Sequence, residues 1–304
     1  MYARYVFALL LLLLTSCLFE AEEAFEFPNY VQASLVLPGT LTVEPVFSQY
    51  QNYCIAAVED TLYHLELHHG RIHGKTALPG TVSSMAISTD GFLFAAAGES
   101  LCAVKGFDVI ASAGLPAGFS DLTVCGNDPL LLMDDGTMEL LNPVDLSVSA
   151  SGVWESEDIV FIQGFSGMIS IAASSGTLAT LSLPGFSTVA ETHLEGSVTF
   201  LDKAGSDNLL FSCSSWNEAA SCSPSDLKVE KMFTFPAAPV EAAADSSVSF
   251  IYCTVPGNGI MVCRENGDIA WKASDYGSDA MAILSSDGET AVLTGGNRLN
   301  ILIR

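Results

Sequence analysis

Cysteine is the residue type in this chain whose chemistry is easiest to infer from spacing, and the sequence contains eight. Cys213 and Cys222 flank a polar loop, while Cys253 and Cys263 lie on either side of a Gly-Asn-Gly turn. A hairpin about this turn is expected to place the second pair opposite each other, so both pairs are candidate disulfides in an oxidising compartment. The spacing leaves open the alternative of unpaired thiols in the core. No Cys-x-x-Cys occurs, which argues against redox exchange and a zinc knuckle.

Histidine is concentrated in one short segment, because four of the five histidines fall between residues 64 and 73. If residues 62–68 form a strand, His64, Glu66 and His68 point to the same face. Two imidazoles and a carboxylate are ligands that a divalent transition metal accepts. However, i to i+4 along a strand spans about 13 Å, which is too far for one strand to chelate a metal. We therefore expect no metal and no cofactor, and interpret the segment as a solvent-facing strand that runs into a hairpin turn.

Motifs for catalysis are absent from the sequence. It contains no Gly-x-Ser-x-Gly, no His-Glu-x-x-His and no phosphate-binding glycine loop. The formal net charge of −24 excludes a protein that follows nucleic-acid phosphates, because such a protein needs basic surface. The same charge argues against electrostatic docking on anionic lipid. These observations favour a non-enzymatic function.

The elements that position these residues are short strands that recur at a fixed period. Segments 85–95 and 281–291 share the pattern strand, Asp-Gly turn, strand, and each continues through a glycine turn into a further strand. Weaker copies fill the interval, with inner strands beginning near residues 43, 84, 121, 158, 197, 245 and 281. Such spacing fits a four-stranded propeller blade of about 40 residues. We therefore predict an all-β, seven-bladed β-propeller over residues 30–304, with six or eight blades as alternatives.

The two ends of the repeat region are predicted to close the ring. The seventh unit stops at Arg304 after three strands and lacks an outer strand. Residues 30–40 belong to no unit of their own and are similar to the outer strands of the first two blades. An N-terminal strand that completes the last blade leaves no unpaired edge between the ends of the chain. We expect one domain that remains monomeric.

The repeats resemble those of the broad WD-repeat, YVTN and quinoprotein-like group of propellers. Residues 265–271 have the Gly-x-x-x-Trp spacing of quinoprotein-type repeats. Such repeats also occur in the propeller lipoprotein of the outer-membrane β-barrel assembly machinery. This resemblance makes membership of that assembly machinery one alternative function.

The N-terminal residues predict export. A short start with Arg4 precedes an apolar run that is too short to cross a membrane but typical of a secretory signal, which we place at residues 1–16. Leu14-Thr15-Ser16-Cys17 resembles the bacterial lipobox, and the resemblance implies lipid on Cys17 and cleavage before it. The alternative is an ordinary signal peptide with a coincidental cysteine. Leu18 rather than Asp after the cysteine favours the outer over the cytoplasmic membrane, and residues 17–29 are predicted to form an acidic tether.

The leading hypothesis for function is a membrane-anchored scaffold that docks a protein, peptide or glycan partner in the cell envelope. Residues 212–228 are interpreted as an insertion in the fifth blade, and Trp216 within it is the candidate contact residue. The alternative for Trp216 is packing under its loop or plugging of the channel. A different class of function, a hydrolase or lyase acting on envelope polysaccharide, requires carboxylates that converge at the channel mouth.

Overall fold

The fold is a closed ring of seven antiparallel sheets, each with four strands. A computed structural model describes residues 27–48, 52–154, 158–205, 207–276 and 280–304. The innermost strand of each sheet contacts the innermost strands of its two neighbours, and the ring closes between the first and last sheets. The prediction of an all-β, seven-bladed propeller is therefore confirmed. Within the described ranges, no helix is long and apolar enough to cross a membrane.

The first four blades each run outward from the centre in chain order. Blade 1 contains β2 (Val46–Phe47), β3 (Tyr53–Val58), β4 (Thr61–Glu66) and β5 (Arg71–Ala77). Blade 2 contains β6 (Val82–Ile87), β7 (Leu93–Ala97), β8 (Ser100–Lys105) and β9 (Asp108–Gly114). Blade 3 contains β10 (Phe119–Cys125), β11 (Asp128–Met133), β12 (Thr137–Leu141) and β13 (Val148–Val153). Blade 4 contains β14 (Ile159–Phe165), β15 (Met168–Ala173), β16 (Thr177–Ser182) and β17 (Ser187–His193).

The last three blades repeat this order, except that the final blade borrows its outer strand. Blade 5 contains β18 (Val198–Ala204), β19 (Asn208–Cys213), β20 (Glu218–Cys222) and β21 (Val229–Thr234). Blade 6 contains β22 (Glu241–Ala244), β23 (Phe250–Val255), β24 (Gly259–Arg264) and β25 (Ile269–Ala273). Blade 7 contains β26 (Met281–Leu284), β27 (Thr290–Gly295), β28 (Arg298–Ile303) and, outermost, β1 (Tyr30–Val36).

The N-terminal strand closes the ring as predicted. β1 pairs antiparallel with β28, from Tyr30 opposite Ile303 to Val36 opposite Arg298. The folded part extends further toward the N-terminus than the predicted tether boundary, because Phe27 is buried and its ring lies 6.0 Å from that of Phe250. Residues 27–29 thus belong to the domain, while the predicted signal peptide, Cys17 and the rest of the tether lie outside the described residues.

Apolar packing between neighbouring blades forms the core. The second and third strands of the blades are almost wholly buried, whereas the outer strands alternate between exposed and half-buried residues. Seven apolar clusters result, one between each pair of consecutive blades. The blades are stabilised by contact with their neighbours around the ring, because a single four-stranded sheet buries too little apolar surface alone.

Two predicted boundaries are wrong. The interpretation of residues 212–228 as an insertion fails because it contains β20, a regular third strand that pairs with β19 and β21. The inner strand of blade 6 begins at Glu241, four residues before the predicted start. In both places short runs of Ala or Ser lack the alternation of large apolar and polar residues from which the strands were predicted.

Candidate binding site in the central channel

A channel of about 650 Å³ runs along the centre of the ring, lined by residues of the innermost strand, or the segment leading into it, of every blade. This volume is within the range of small-molecule sites, which is about 300–1,000 Å³. The lining mixes apolar side chains with carboxylates, hydroxyls, an amide and one lysine. The polar members of the lining are Glu44, Ser83, Ser84, Asp121, Thr123, Gln163, Asp202, Lys203 and Glu241.

Strand register places three of the carboxylates at equivalent positions. Asp121 pairs with Leu132 and Glu241 with Thr254, and in each case the partner is the penultimate residue of the second strand. Glu44 stands two residues before Val46, which pairs with Ile55, so continuation of this register gives it the same level in blade 1. These carboxylates therefore belong to one ring near the end of the channel at which the inner strands begin. Ser84, Phe161, Phe200 and Met281 occupy the same level in the other blades.

Asp202 and Lys203 lie further along the channel. Asp202 pairs with Leu210 and Lys203 with Leu209, so both stand beyond the level of Glu241. The backbone N–H of Lys203 donates to the Asp202 carboxylate at 2.7 Å. The channel consequently carries three carboxyl groups where its inner strands begin and its lysine toward the other end.

Poor hydration and repulsion by neighbouring carboxylates raise the pKa values of two channel residues, Glu44 and Glu241. The pKa of Glu44 is raised well above its ordinary value, first by desolvation and then by the charges of Asp202 and Glu241. Desolvation also raises the pKa of Glu241, and the charge of Asp202 adds to this effect. The Glu44 side chain is open to channel water but encircled by protein, so its charge is less well hydrated than on the outer surface. These groups form one electrostatically linked cluster drawn from blades 1, 5 and 6.

The remaining charged groups of the channel are partly compensated. Desolvation raises the pKa of Asp202, while the hydrogen bond from the Lys203 backbone and the Lys203 charge lower it. Desolvation lowers the pKa of Lys203, and Asp202 opposes that change. Desolvation raises the pKa of Asp121, opposed by hydrogen bonds from the Leu122 backbone and the Ser84 hydroxyl. Asp121 is thus anchored in place, whereas no hydrogen bond to another described residue holds the Glu44 carboxylate.

The predicted histidine segment lies on blade 1 and its residues do not converge. β4 ends at Glu66, so His68 lies in the turn and not in the strand as predicted. His64 is buried, with Nε2 3.0 Å from the Thr76 hydroxyl, and desolvation lowers its pKa to about 4. Glu66 accepts hydrogen bonds from Arg71 and His69, whereas the partner of His64 is Thr76. Across the described ranges no group of three His, Cys, Asp or Glu side chains is arranged to hold a metal ion.

The four cysteines predicted as disulfide candidates are buried free thiols in the structure. Cys222 pairs with Leu209, four residues from Cys213 along β19, which is about 13 Å of strand. Cys253 lies opposite Met261 and not opposite Cys263, so the expected hairpin register is wrong by two residues. Burial raises the pKa of these thiols where a shift is resolved, to about 12 for Cys222 and about 11 for Cys263.

Trp216 lies in the turn between β19 and β20 and is half-buried. Its ring centroid is 6.0 Å from that of Phe211, and it packs on the apolar cluster between blades 4 and 5. It does not line the channel. The structure therefore places Trp216 beneath its own turn, which is the alternative that the sequence left open.

The channel carboxylates are the candidate functional residues that motif searches missed. They come from inner strands separated by up to about 200 residues in the sequence, so no local pattern joins them. One signal was present: Asp121, Asp202 and Glu241 are charged residues within or at the start of inner strands whose other residues, apart from Lys203, are uncharged. A charged residue in such a strand indicates that its side chain either reaches solvent or has a function.

Comparison with known proteins supports the fold alone. No family model matches the chain, and no curated protein sequence matches it. Among solved structures, the β-propeller domain of Cps50 (Swd1) from Myceliophteria thermophila superposes with a TM-score of 0.76 at 11% identity, covering 91% of this chain and 100% of that one. This is the fold of WD40-type propellers. U3-55K (TM-score 0.73, 14% identity, 91% and 100% coverage) and the WD40 repeats of RRP9 (0.73, 14%, 91% and 99%) are similar as well.

Proposed function

We propose that this WD40-type propeller is a lipid-anchored binding scaffold of the cell envelope that docks a protein, peptide or glycan partner. The observation that carries the proposal is the closed ring, whose central channel is lined by polar and apolar side chains from every blade. WD40-type propellers typically bind protein partners on a rigid ring. Rigid presentation of many loops lowers the conformational cost of binding.

The anchoring part of the proposal rests on Cys17. The Cys17→Ser variant should move from the membrane to the soluble fraction, because the proposed acyl chains are lost. The matched control is Cys102→Ser, which changes a buried cysteine of blade 2 and should leave the protein in the membrane. Fractionation with immunodetection, together with the mass of the processed N-terminus, measures both. Full membrane retention of Cys17→Ser contradicts the anchoring.

The binding part is tested by chemical crosslinking in native membranes followed by mass spectrometry. We expect a reproducible partner that the Cys17→Ser variant captures less well. Recovery of an outer-membrane barrel protein would assign the chain to assembly machinery. Absence of any partner above the level of an unrelated lipoprotein contradicts the scaffold function.

A second candidate function, a hydrolase or lyase acting on envelope polysaccharide, is favoured by one observation. Glu44, Asp202 and Glu241 form a channel cluster whose carboxyl pKa values are raised, as general acids require. If the channel is an active site, Glu241→Gln and Asp202→Asn should each reduce turnover of envelope polysaccharide by at least about 100-fold. Polysaccharide breakdown that is unchanged in both variants contradicts this candidate.

A further inference from the structure

The two faces of the ring use their carboxylates differently. Because every blade is an antiparallel meander, the turns between second and third strands and the connections between blades share one face, which we call the entry face. The turns between first and second and between third and fourth strands form the exit face. The inner strands begin at the entry face, and the carboxylate ring of the channel lies at that end.

Carboxylates in the described turns of the exit face have structural partners. Eight of the nine make a hydrogen bond or ion pair with another described residue. Asp145 accepts from Ser147, for example, and Glu265 pairs with Lys231 at 3.2 Å. The eight are Asp90, Asp145, Asp226, Asp245, Glu265, Asp268, Asp287 and Glu289.

Carboxylates of the entry face are mostly unengaged. Its described turns and connections also hold nine, all exposed, but only Asp60 and Asp135 make a hydrogen bond with another described residue. The other seven have no such partner: Glu44, Glu59, Glu99, Asp134, Asp158, Glu195 and Asp275. The described parts of these turns contain no lysine or arginine; the nearest cations are Arg298, which begins β28, and Lys272, whose ammonium donates to Asn258 of one turn. The ion pairs between described residues that involve Glu66, Glu265 and Glu289 all lie toward the exit face.

The channel holds further carboxyl groups next to this surface, and a cation that enters favours their ionised forms. Glu44 belongs to both the entry face and the channel lining, and Asp121 and Glu241 stand at its level. A cationic side chain that enters from this face meets these carboxylates first and reaches Lys203 only further along. The entry-face carboxylates make few hydrogen bonds with other described residues, and they surround a cavity that contains more carboxyl groups. Such an arrangement is complementary to a positively charged partner.

We propose that the entry face is a docking surface for a basic protein segment, which inserts a lysine or arginine side chain into the channel mouth between Glu44 and Glu241. This inference rests on the proposed scaffold function and names the chemistry of its partner. An anionic polysaccharide or a nucleic acid is repelled by the same surface. Since exposed charges are screened by salt, binding is expected to be strongest at low ionic strength.

The test uses the full chain in a non-ionic detergent and a fluorescein-labelled pentalysine peptide as the probe. The entry-face variant combines Glu99→Gln, Asp134→Asn and Glu195→Gln, three exposed residues whose carboxylates have no partner among the described residues. The matched exit-face control combines Asp108→Asn, Glu265→Gln and Glu289→Gln, which removes the same charge from exposed positions. Circular dichroism and thermal unfolding establish that both variants fold.

The entry-face variant should weaken pentalysine binding on the order of tenfold at low salt, and the exit-face control less than about twofold. Glu241→Gln alone should weaken it severalfold, because it removes a carboxylate of the channel mouth. Equal losses in the two triple variants, or none in either, overturn the proposal. A partner captured in membranes equally by wild type and entry-face variant leaves the scaffold function standing and refutes the docking surface. Capture of no partner refutes the scaffold function instead.

Discussion

The interfaces between blades and the channel at their centre are built from neighbouring residues of the same inner strands, yet their chemistry is opposite. Leu201 belongs to the apolar cluster between blades 4 and 5 and also borders the channel, whereas the adjacent Asp202 lines the channel and belongs to no apolar cluster. Leu122 and Asp121 show the same contrast in blade 3. Residues at the interfaces are selected to exclude water, and the channel keeps charges at a cost in hydration. The charged side chains of the channel are therefore not part of the apolar clusters that hold the blades together.

Of the changes that test this difference between interfaces and channel, opening the ring should have the largest effect on stability. Deletion of residues 27–36 removes β1 and exposes the edge of β28. We expect loss of cooperative thermal unfolding and aggregation, because an unpaired strand edge templates association. Differential scanning calorimetry and size-exclusion chromatography measure the result. A deletion that ends at residue 26 is the control and should unfold as the full chain does; a closed, monomeric ring without β1 would contradict the account.

Truncation of a side chain at an interface between blades should have the second largest effect on stability. Phe211 is fully buried between blades 4 and 5, so Phe211→Ala should reduce the free energy of unfolding by about 3–5 kcal/mol. Val144→Ala, at an exposed turn of blade 3, is the control and should change it by less than about 0.5 kcal/mol. Guanidinium denaturation measures both. A cost for Phe211→Ala as small as that of the control would show that the interfaces do not carry the stability.

Thiol reactivity reports on the same interfaces. The seven cysteines of the described residues are buried, and burial raises the pKa of Cys125 and Cys222 to about 12. At a pH of about 8 the thiolate fraction is then more than about 100-fold below that of an ordinary cysteine, so alkylation by iodoacetamide should be slow until the protein unfolds. Mass spectrometry of alkylated native and denatured protein counts the thiols. Rapid native alkylation, or fewer thiols in the denatured protein because of disulfides, would contradict the structure.

The smallest predicted effect concerns the channel. A carboxyl group whose pKa is raised by folding binds protons more tightly in the folded state, so stability falls as the pH rises from the ordinary pKa through the raised one. Glu241→Gln removes one such group. We expect the free energy of unfolding to rise by on the order of 1 kcal/mol at a pH above the raised pKa, and not to change at a pH below the ordinary pKa. Thermal unfolding across pH measures the difference. Destabilisation of Glu241→Gln at neutral pH would show that its charge is favourable in the resting protein.

The sequence predicted the blades better than the channel, for a physical reason. Apolar alternation and Asp-Gly turns are local, so the repeat at residues 85–95 and the closing strand at 30–36 were identified correctly. β20 and the start of β22 were misplaced where Ala and Ser replace the larger apolar residues. The channel cluster was not predicted, because Glu44, Asp202 and Glu241 approach only when the ring closes. Trp216 was predicted to contact a partner because it lies in a polar loop, but its ring packs against Phe211.

The proposed role of the entry face can be measured most directly by site-resolved photocrosslinking in native membranes. A photoreactive amino acid is placed at Glu99 on the entry face or at Asp145 on the exit face, both exposed turn positions of adjacent blades. We predict partner adducts from position 99 and none from position 145, with the captured peptide rich in lysine or arginine. Adducts from position 145 alone, equal adducts from both, or none from either would contradict the account.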